Sequence, residues 1–318
     1  MTFKQYKNGI PVIEATNAEN FEVSDSVTVG DSVTVGDSVT VQNSITVEEI
    51  YTRFDAPLIV AIATTASGMA SYSSDDGTTW TEFDTGLALR RIAYGSGNFV
   101  ATSPYSTNLA AYSTDAITWT QTAMPTSSIW YSVTHGDGKF VALAYNSTIA
   151  AYSTDGITWT QTAMPTSSLW QSVTHGDGKF VAVAYNWGSV SSTAAYSTDA
   201  ITWTQAALPI SNNGYHHWRS VAYGSGNFVA TSDNSNAAHS TDGITWTQTT
   251  MPGSGVYSWY ALVHNGRRFF AARQDGVAAY STDGTAWTEV TTMTNRPWVG
   301  LASGIGNRIA KINSYIYP

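Results

Sequence analysis

The 318-residue chain has no cysteine, which excludes a disulfide framework and any thiolate metal site. A core of this length does not need such staples. Charge is scarce: 12% of residues are charged, well below the usual quarter, and there are only 14 Lys+Arg. The formal net charge of -9 argues against a nucleic-acid partner, whose phosphates need a basic patch. No apolar run is long enough to span a membrane, so no membrane insertion is expected. The opening MTFKQYKNGIPVIEATNAENFEV lacks the apolar middle of a signal peptide. An extracellular destination would then follow from cell lysis or assembly into a particle rather than from secretion. Thr, Ser, Asn and Gly fill the polar positions, and 12 Trp and 18 Tyr make the chain rich in aromatics.

Repetition dominates what is present. AYSTDGITWTQTAMP at 151–165 recurs nearly unchanged at 111–125 and in part around four other tryptophans. The six tryptophans of this phrase are Trp80, Trp119, Trp159, Trp203, Trp246 and Trp287, 39 to 44 residues apart. A second phrase alternates with it, as in WYSVTHGDGKFVALAY (130–145) and WRSVAYGSGNFVATS (218–232). Each unit reads as four short strands rich in Val, Tyr, Trp and Thr, punctuated by Gly-Asp-Gly or Gly-Ser-Gly and by Thr-Asp-Gly turns. Four antiparallel strands every 40 residues or so predict a β-propeller, whose units bury their faces only against neighbours. The first unit, from PLIVAIA (57–63), lacks its first strand, and the last, ending in WVGLASGIGNRIAKI (298–312), lacks its final two. The C-terminus is therefore expected to supply the inner strand of the N-terminal unit. Six blades follow, with seven as the alternative, because 58–63 and 308–312 compete for one place.

A shorter repeat runs DSVTVG DSVTVG DSVTVQ NSITVE over 25–48. Val27, Val29, Val33, Val35, Val39, Val41, Ile45 and Val47 all fall on odd positions, one side of an extended chain. So thin a β segment cannot bury that stripe alone. A single-chain hexapeptide coil needs roughly eighteen residues per turn, so the segment would make little more than one coil by itself. Residues 21–50 are expected to form a trimeric β stalk with each chain supplying one wall. Residues 1–20 would precede it and 56–318 would form the propeller.

SSDDGTTW (73–80) matches Ser-x-Asp-x-Gly-x-Thr-Trp, and the other five copies are one residue shorter. These repeats resemble the Asp-box repeats of sialidase-type propellers and of bacteriophage tail proteins, over about 260 residues. Asp accepts backbone N–H bonds within a tight turn and Gly tolerates positive φ. Asp75, Asp115, Asp155, Asp199, Asp242 and Asp283 are thus expected to be turn-formers. Identical residues at identical ring positions cannot converge on one catalytic or metal centre. His135, His175 and His264, replaced by Tyr94 and Tyr223 in other units, are expected to pack at turns for the same reason. No metal or other cofactor is expected.

Enzymatic candidates are thin. Arg90, Arg91, Arg219, Arg267, Arg268, Arg273 and Arg296 do not recur at one strand position as a sialidase carboxylate grip would require. Glycoside hydrolysis generally needs two nearby carboxylates, and the variable loops offer mainly Asp233 and Asp275, one unit apart. The connections opposite the repeated turns vary most, at 186–193, 209–218 and 252–259. Variable loops on a rigid scaffold carry function. Trp187, Tyr215, His216, His217, Trp218 and Tyr257 are therefore the candidate ligand-binding residues. Such rings stack on sugar faces or pack in protein interfaces. Trp218 and Trp259 also read as strand-starting residues packed between blades, as Trp130 and Trp170 do.

A stalk followed by such a propeller resembles a phage tail fibre or receptor-binding protein. The resemblance implies a non-enzymatic, homotrimeric virion protein assembled in the host cytoplasm. Its N-terminus would attach to other virion proteins, and its propeller would bind a host-surface glycan or protein. Two alternatives stay open: a structural head, neck or baseplate decoration that uses the propeller as a protein platform, and a glycan-degrading hydrolase.

Overall fold

The computed structural model describes residues 60, 68–72, 79, 81–103, 105–185, 192–210, 217–233, 235–253, 258–273 and 277–290 in full. It adds as backbone the strands Gln5–Lys7, Ile10–Val12, Asn20–Val23, Val27–Val29, Val33–Val35, Ser38–Val41, Ile45–Val47, Ile50–Thr52, Ile59–Ile62 and Ile309–Ile312, and Ser73. Internal contacts divide the chain into Met1–Ala56 and Pro57–Pro318.

In the N-terminal unit, Gln5–Lys7 and Ile10–Val12 form an antiparallel pair. The hexads pair in parallel. Asn20–Val23 lies on Ser38–Val41, Val27–Val29 on Ile45–Val47, and Val33–Val35 on Ile50–Thr52. Partners are 18 residues apart in the first two pairs (Asn20 with Ser38, Val27 with Ile45) and 17 in the third (Val33 with Ile50). Three hexads thus make one coil, and the next coil stacks on it with like positions facing. This differs from the expected arrangement of one wall per chain. Here one chain supplies all three walls, because an 18-residue circuit returns a hexad strand beside its own earlier copy. The eight odd-position apolar residues lie in or beside these strands; their side chains are outside the described residues.

The second unit is a β-propeller without helices among the described residues. Four of its sheets have four strands. One joins Arg91–Gly95, Asn98–Thr102, Thr107–Ser113 and Thr120–Ser128 in sequence order. The 218–250 and 259–290 sheets repeat this meander. A six-stranded sheet spans 130–207, because Lys139–Ser153 and Thr160–Gly176 run on where other units break. Their register shifts twice between Tyr145 and Ile149.

The remaining sheet orders Thr81–Asp84, Met69–Ser73, Ile59–Ile62 and Ile309–Ile312. The last strand of this unit, Ile309–Ile312, therefore lies beside its first, Ile59–Ile62, and next to Arg91–Gly95. The two segments expected to compete for one place are instead neighbours, and they run parallel. A strand arriving from the far end of the chain has no hairpin to impose antiparallel pairing.

The Gly-X-Gly turns show how locally the fold is written. Asp137 and Gly138 have φ of 45° and 70°, and Ser96 and Gly97 have 48° and 81°. Two successive positive φ values define the tight hairpin turn whose twist matches paired strands. The first glycine answers to a different demand. A Cβ on Gly136 would lie 1.9 Å from the His175 ring of the next unit, and one on Gly95 would lie 2.0 Å from His135.

Five hydrophobic clusters fill the gaps between successive units. One unites Ala93, Val100 and Met124 with Trp130, Phe140 and Trp159; another unites Val181, Val183 and Leu208 with Trp218, Phe228 and Trp246. Trp130, Trp170, Trp218 and Trp259 are each 0% exposed. Burying a side chain of this size is worth at least about 1.5–3 kcal/mol. Inter-unit hydrogen bonds add direction: Thr102 Oγ1 donates to Trp130 O at 3.0 Å, and Val173 N to Ser132 Oγ at 3.0 Å.

Candidate functional site

The two faces of the propeller carry different chemistry. On the face of the repeated turns, Asp155 Oδ1 accepts bonds from Ile157 N, Thr158 N and Ser153 Oγ, each at 2.8 Å. Asp115, Asp199, Asp242 and Asp283 make the same three kinds of bond. Asp75 lies outside the described residues. The backbone N–H of Thr202, then that of Ile201, draws the Asp199 carboxyl down to about 2. At Asp242 burial pushes upward, but bonds from Thr245, Ile244 and Ser240 outweigh it and hold the carboxyl at about 2. Each carboxylate is consumed by its own turn.

The ring residues of this face join one unit to the next. His135 packs edge-on against Phe140 of its own unit at 4.6 Å and meets Ser96 Oγ of the preceding turn at 3.1 Å. His175 meets Asp137 at 3.0 Å and His264 meets Ser225 at 3.0 Å. Burial, and then the His175 charge, lowers the pKa of His135; burial lowers that of His264. Among the described residues no group of His, Asp and Glu could hold a metal ion.

Of the candidate ligand-binding residues, Trp187, Tyr215, His216 and Tyr257 lie outside the described residues. Trp218 does not belong at a binding surface. It is fully buried between sheets, because it opens its first strand at the same repeat position as Trp130, Trp170 and Trp259. His217 is half-buried, with its Nδ1 2.8 Å from Asp233 Oδ2.

His217 leads into a cluster that the sequence reading missed. First strands begin, and second strands end, on the face opposite the repeated turns. Four residues before each turn-packing ring stand Arg90, Tyr131, Gln171, Arg219 and Tyr260, Arg90 just ahead of its first strand and the others within theirs. Arg90 and Arg219 thus share one repeat position, with Tyr131, Gln171 and Tyr260 in the other units. Five residues after the buried Phe140, Phe180 and Phe228 stand Tyr145, Tyr185 and Asp233: Tyr185 closes its strand, Asp233 follows one, and Tyr145 lies at a register shift within Lys139–Ser153. Neighbouring first strands stand side by side round the ring, so these residues gather at the mouth of its centre.

Their packing is tight. Arg219 donates to Asp233 from Nε at 2.9 Å and from Nη2 at 3.2 Å. Its guanidinium lies 4.2 Å from the Tyr185 ring centre and 4.6 Å from that of Tyr260. His217 stacks on Tyr185 at 3.9 Å. Arg90 donates to the Tyr131 hydroxyl at 3.0 Å with its guanidinium 4.4 Å from that ring's centre. Arg91 donates from Nε to Tyr131 O at 2.9 Å, and Tyr131 packs on Tyr145 at 5.1 Å.

Burial pushes the Tyr185 and Tyr145 hydroxyls above their ordinary pKa, although Arg219 opposes the shift at both. Burial alone would lower the Arg219 pKa, but the hydrogen bonds and charge of Asp233 outweigh it and raise it. At neutral pH the Tyr145 and Tyr185 phenols are therefore protonated and the Arg219 guanidinium is charged. A rigid array of this kind is suited to recognition, since little side-chain entropy remains to be lost on binding.

No family model matches the chain and no curated protein resembles it in sequence. Solved structures share its fold. A streptogramin B lyase superposes with a TM-score of 0.61 at 14% identity, over 79% of this chain and 88% of that one. A catalytically inactive histidine-to-alanine variant of virginiamycin B lyase from Staphylococcus aureus, with quinupristin, gives 0.57 at 13%, over 69% and 75%. YCF48 from Cyanidioschyzon merolae gives 0.55 at 14%, over 80% and 90%. At such identities the likeness is one of fold, and fold does not fix function.

Proposed function

We propose that the chain is a non-enzymatic recognition protein of a virion fibre, whose propeller binds a host-surface glycan or protein through the face opposite the Asp-box turns. One observation carries this reading: the tyrosine–guanidinium cluster sits where connections differ from unit to unit, while the other face repeats one turn and spends its carboxylates on it. The resemblance of the repeats to those of phage tail proteins, and the hexads before them, support the virion setting. The reading takes six blades, counting the six-stranded sheet as two, since it carries two copies of the repeat. It takes the hexad segment as the oligomerising element of a homotrimer and residues 1–20 as the virion attachment. Trimerisation would convert weak single-site binding into avidity.

The test is binding of the fluorescently labelled full chain to a panel of bacterial strains, with light scattering for its mass. Saturable binding to some strains, abolished by Tyr185→Ala and kept by Ile244→Ser on the other face, is expected. Binding to no strain, or loss only with the turn-face variant, would sink the reading. A second reading, an enzyme, is favoured by the His217–Asp233 pair, in which a carboxylate orients an imidazole beside Tyr185. It requires that surface polymer incubated with the chain be shortened, and that His217→Ala abolish the shortening.

A further inference from the structure

Building on the proposed reading and specifying its ligand, we infer that the mouth binds a neutral, hydroxyl-bearing glycan and that Gln171 is the residue that reads it. At the same repeat position Tyr131 accepts from Arg90, and Arg219 donates to Asp233. Gln171 is only 7% exposed, yet among the described residues no group hydrogen-bonds its side-chain amide. Nor is the amide sealed in the core, for neither of its polar atoms is shut off from the surface. An amide so placed costs stability until a group from outside the chain pairs with it.

Backbone geometry puts this amide in the middle of the mouth. In four successive units the register shifts just after the buried tryptophan, leaving Tyr131, Gln171, Arg219 and Tyr260 as the extra residue of a bulge. A bulge leaves its residue outside the ladder and re-aims its side chain, and bulges recur beside functional sites. The bulged residue varies from unit to unit while the tryptophan before it does not. Leu169, two residues before Gln171, pairs with Tyr145 on one side and with Tyr185 on the other. Gln171 therefore stands diagonally from both tyrosines on the flanking strands. Tyr131 packs on Tyr145 at 5.1 Å, and the Arg219 guanidinium on Tyr185 at 4.2 Å. The amide thus sits at the centre of one arc that runs from Tyr131 to Arg219. Tyr145 adds a half-buried hydroxyl that no described residue hydrogen-bonds.

The chemistry of these free groups names the ligand. A side-chain amide both donates and accepts, and so does a phenol hydroxyl. Sugar hydroxyls also do both and can satisfy each of them. A carboxylate or phosphate only accepts, and would leave the Gln171 carbonyl facing it without a donor. An extended peptide pairs best with an open strand edge, whereas the free groups here are side-chain tips. Both faces of the Tyr185 ring are occupied, by His217 at 3.9 Å and by Arg219 at 4.2 Å. A sugar is therefore held here by its hydroxyls and not by stacking on that ring.

The experiment measures retention of the full chain on immobilised dextran, mannan and galactan, with polygalacturonate and gelatin as the acidic and protein comparisons. Retention on at least one neutral polysaccharide, released by the same polysaccharide in solution, is expected. Gln171→Leu should weaken it on the order of tenfold or more, with a melting temperature no lower than the parent's, because the amide gives the fold no bond. Tyr145→Phe, which keeps the ring, should weaken it about threefold, and Ile244→Ser should leave it unchanged. A lower melting temperature in Gln171→Leu, retention on polygalacturonate or gelatin alone, no retention on any polymer, or retention indifferent to both mouth substitutions overturns the inference. Binding to bacterial strains that Gln171→Leu leaves unchanged would defeat this ligand and leave the adhesin standing. Retention on a neutral polysaccharide, lost in Gln171→Leu, without binding to any strain would do the reverse.

Discussion

The two faces of the propeller are made by the two ends of the same strands, yet they hold together in opposite ways. On the turn face, side chains bind backbone: Asn98 Nδ2 reaches Asp155 O at 3.0 Å, Asn227 Nδ2 reaches Asp283 O at 3.1 Å, and Thr122 Oγ1 reaches Ile157 O at 2.8 Å. Each of these bonds crosses from one unit to the next. At the opposite mouth, side chains bind mainly one another, through stacked rings and the Arg219–Asp233 pair. The turn face keeps its aspartate-centred turn in every described unit, although the position of Asn98 and Asn227 holds Lys139, Lys179 and Arg268 in the others. A side-chain network tolerates different members in each unit, and Tyr131 against Gln171 in two otherwise similar units shows it. The lesson is a division of labour: one face keeps the ring closed and the other is free to acquire a ligand.

That comparison can be broken most severely at the turn glycines. Gly136→Ala should drive a Cβ into the His175 ring and cost about 3 kcal/mol, near the top of the overpacking range. Gly138→Ala meets open space and bears only the cost of its positive φ, about 1–2 kcal/mol. Chemical denaturation of the pair should rank them in that order. An equal loss would mean that the ring contact between units does not matter.

Asp155→Ala comes next. It removes the acceptor of three hydrogen bonds and should cost about 2–3 kcal/mol, while leaving ligand binding at the far mouth intact. Arg90→Gln should show the opposite pattern, with a melting temperature close to that of the parent and weaker binding. If both substitutions changed both properties, the two faces would not be separable.

Acid should loosen the turn face in two stages. His135 and His264 have folded pKa values below the ordinary 6.5, so the unfolded chain takes up protons first. Their contribution is complete above pH 6.5 and is lost as pH falls through the lowered folded values. The box aspartates follow: their contribution is complete above 3.8 and is lost as pH falls toward about 2 at Asp199 and Asp242. Melting temperatures measured from pH 8 downward should fall in that order, and His135→Gln should flatten the first stage.

The smallest effect is expected at Ala116 and Ala200, which occupy the box glycine position with φ of 65° and 67°. Ala116→Gly relieves the left-handed cost but removes a fully buried methyl group from the cluster around Val60. These terms nearly cancel, so stability should change by less than about 1 kcal/mol. Gly156→Ala, by contrast, sets a Cβ 2.3 Å from Val100 and should destabilise clearly.

Local signals were legible where chemistry acts within a few residues. The Ser-Thr-Asp phrase before each strand implies a carboxylate bonded to the backbone N–H groups two and three residues on, and Gly-X-Gly implies a hairpin turn. Trp130, Trp170, Trp218 and Trp259 could be read as strand-starting core residues from their shared position, and for Trp218 that position outweighs its place beside a long loop. The shared position of Arg90 and Arg219 is legible only relative to the turn-packing rings, four residues before Tyr94 and Tyr223; their pairing with distant rings is not.

The sequence by itself determined the repeat, its strand content and the chemistry of each turn, because hydrogen bonds spanning two or three residues depend on little else. Tertiary structure decided what lies far apart along the chain. It paired hexads 18 residues apart within one chain, set Ile309–Ile312 parallel beside Ile59–Ile62, and brought Arg219 against Tyr185, Asp233 and Tyr260. Those juxtapositions depend on how whole sheets stack and on where the ring closes, and no local spacing encodes them.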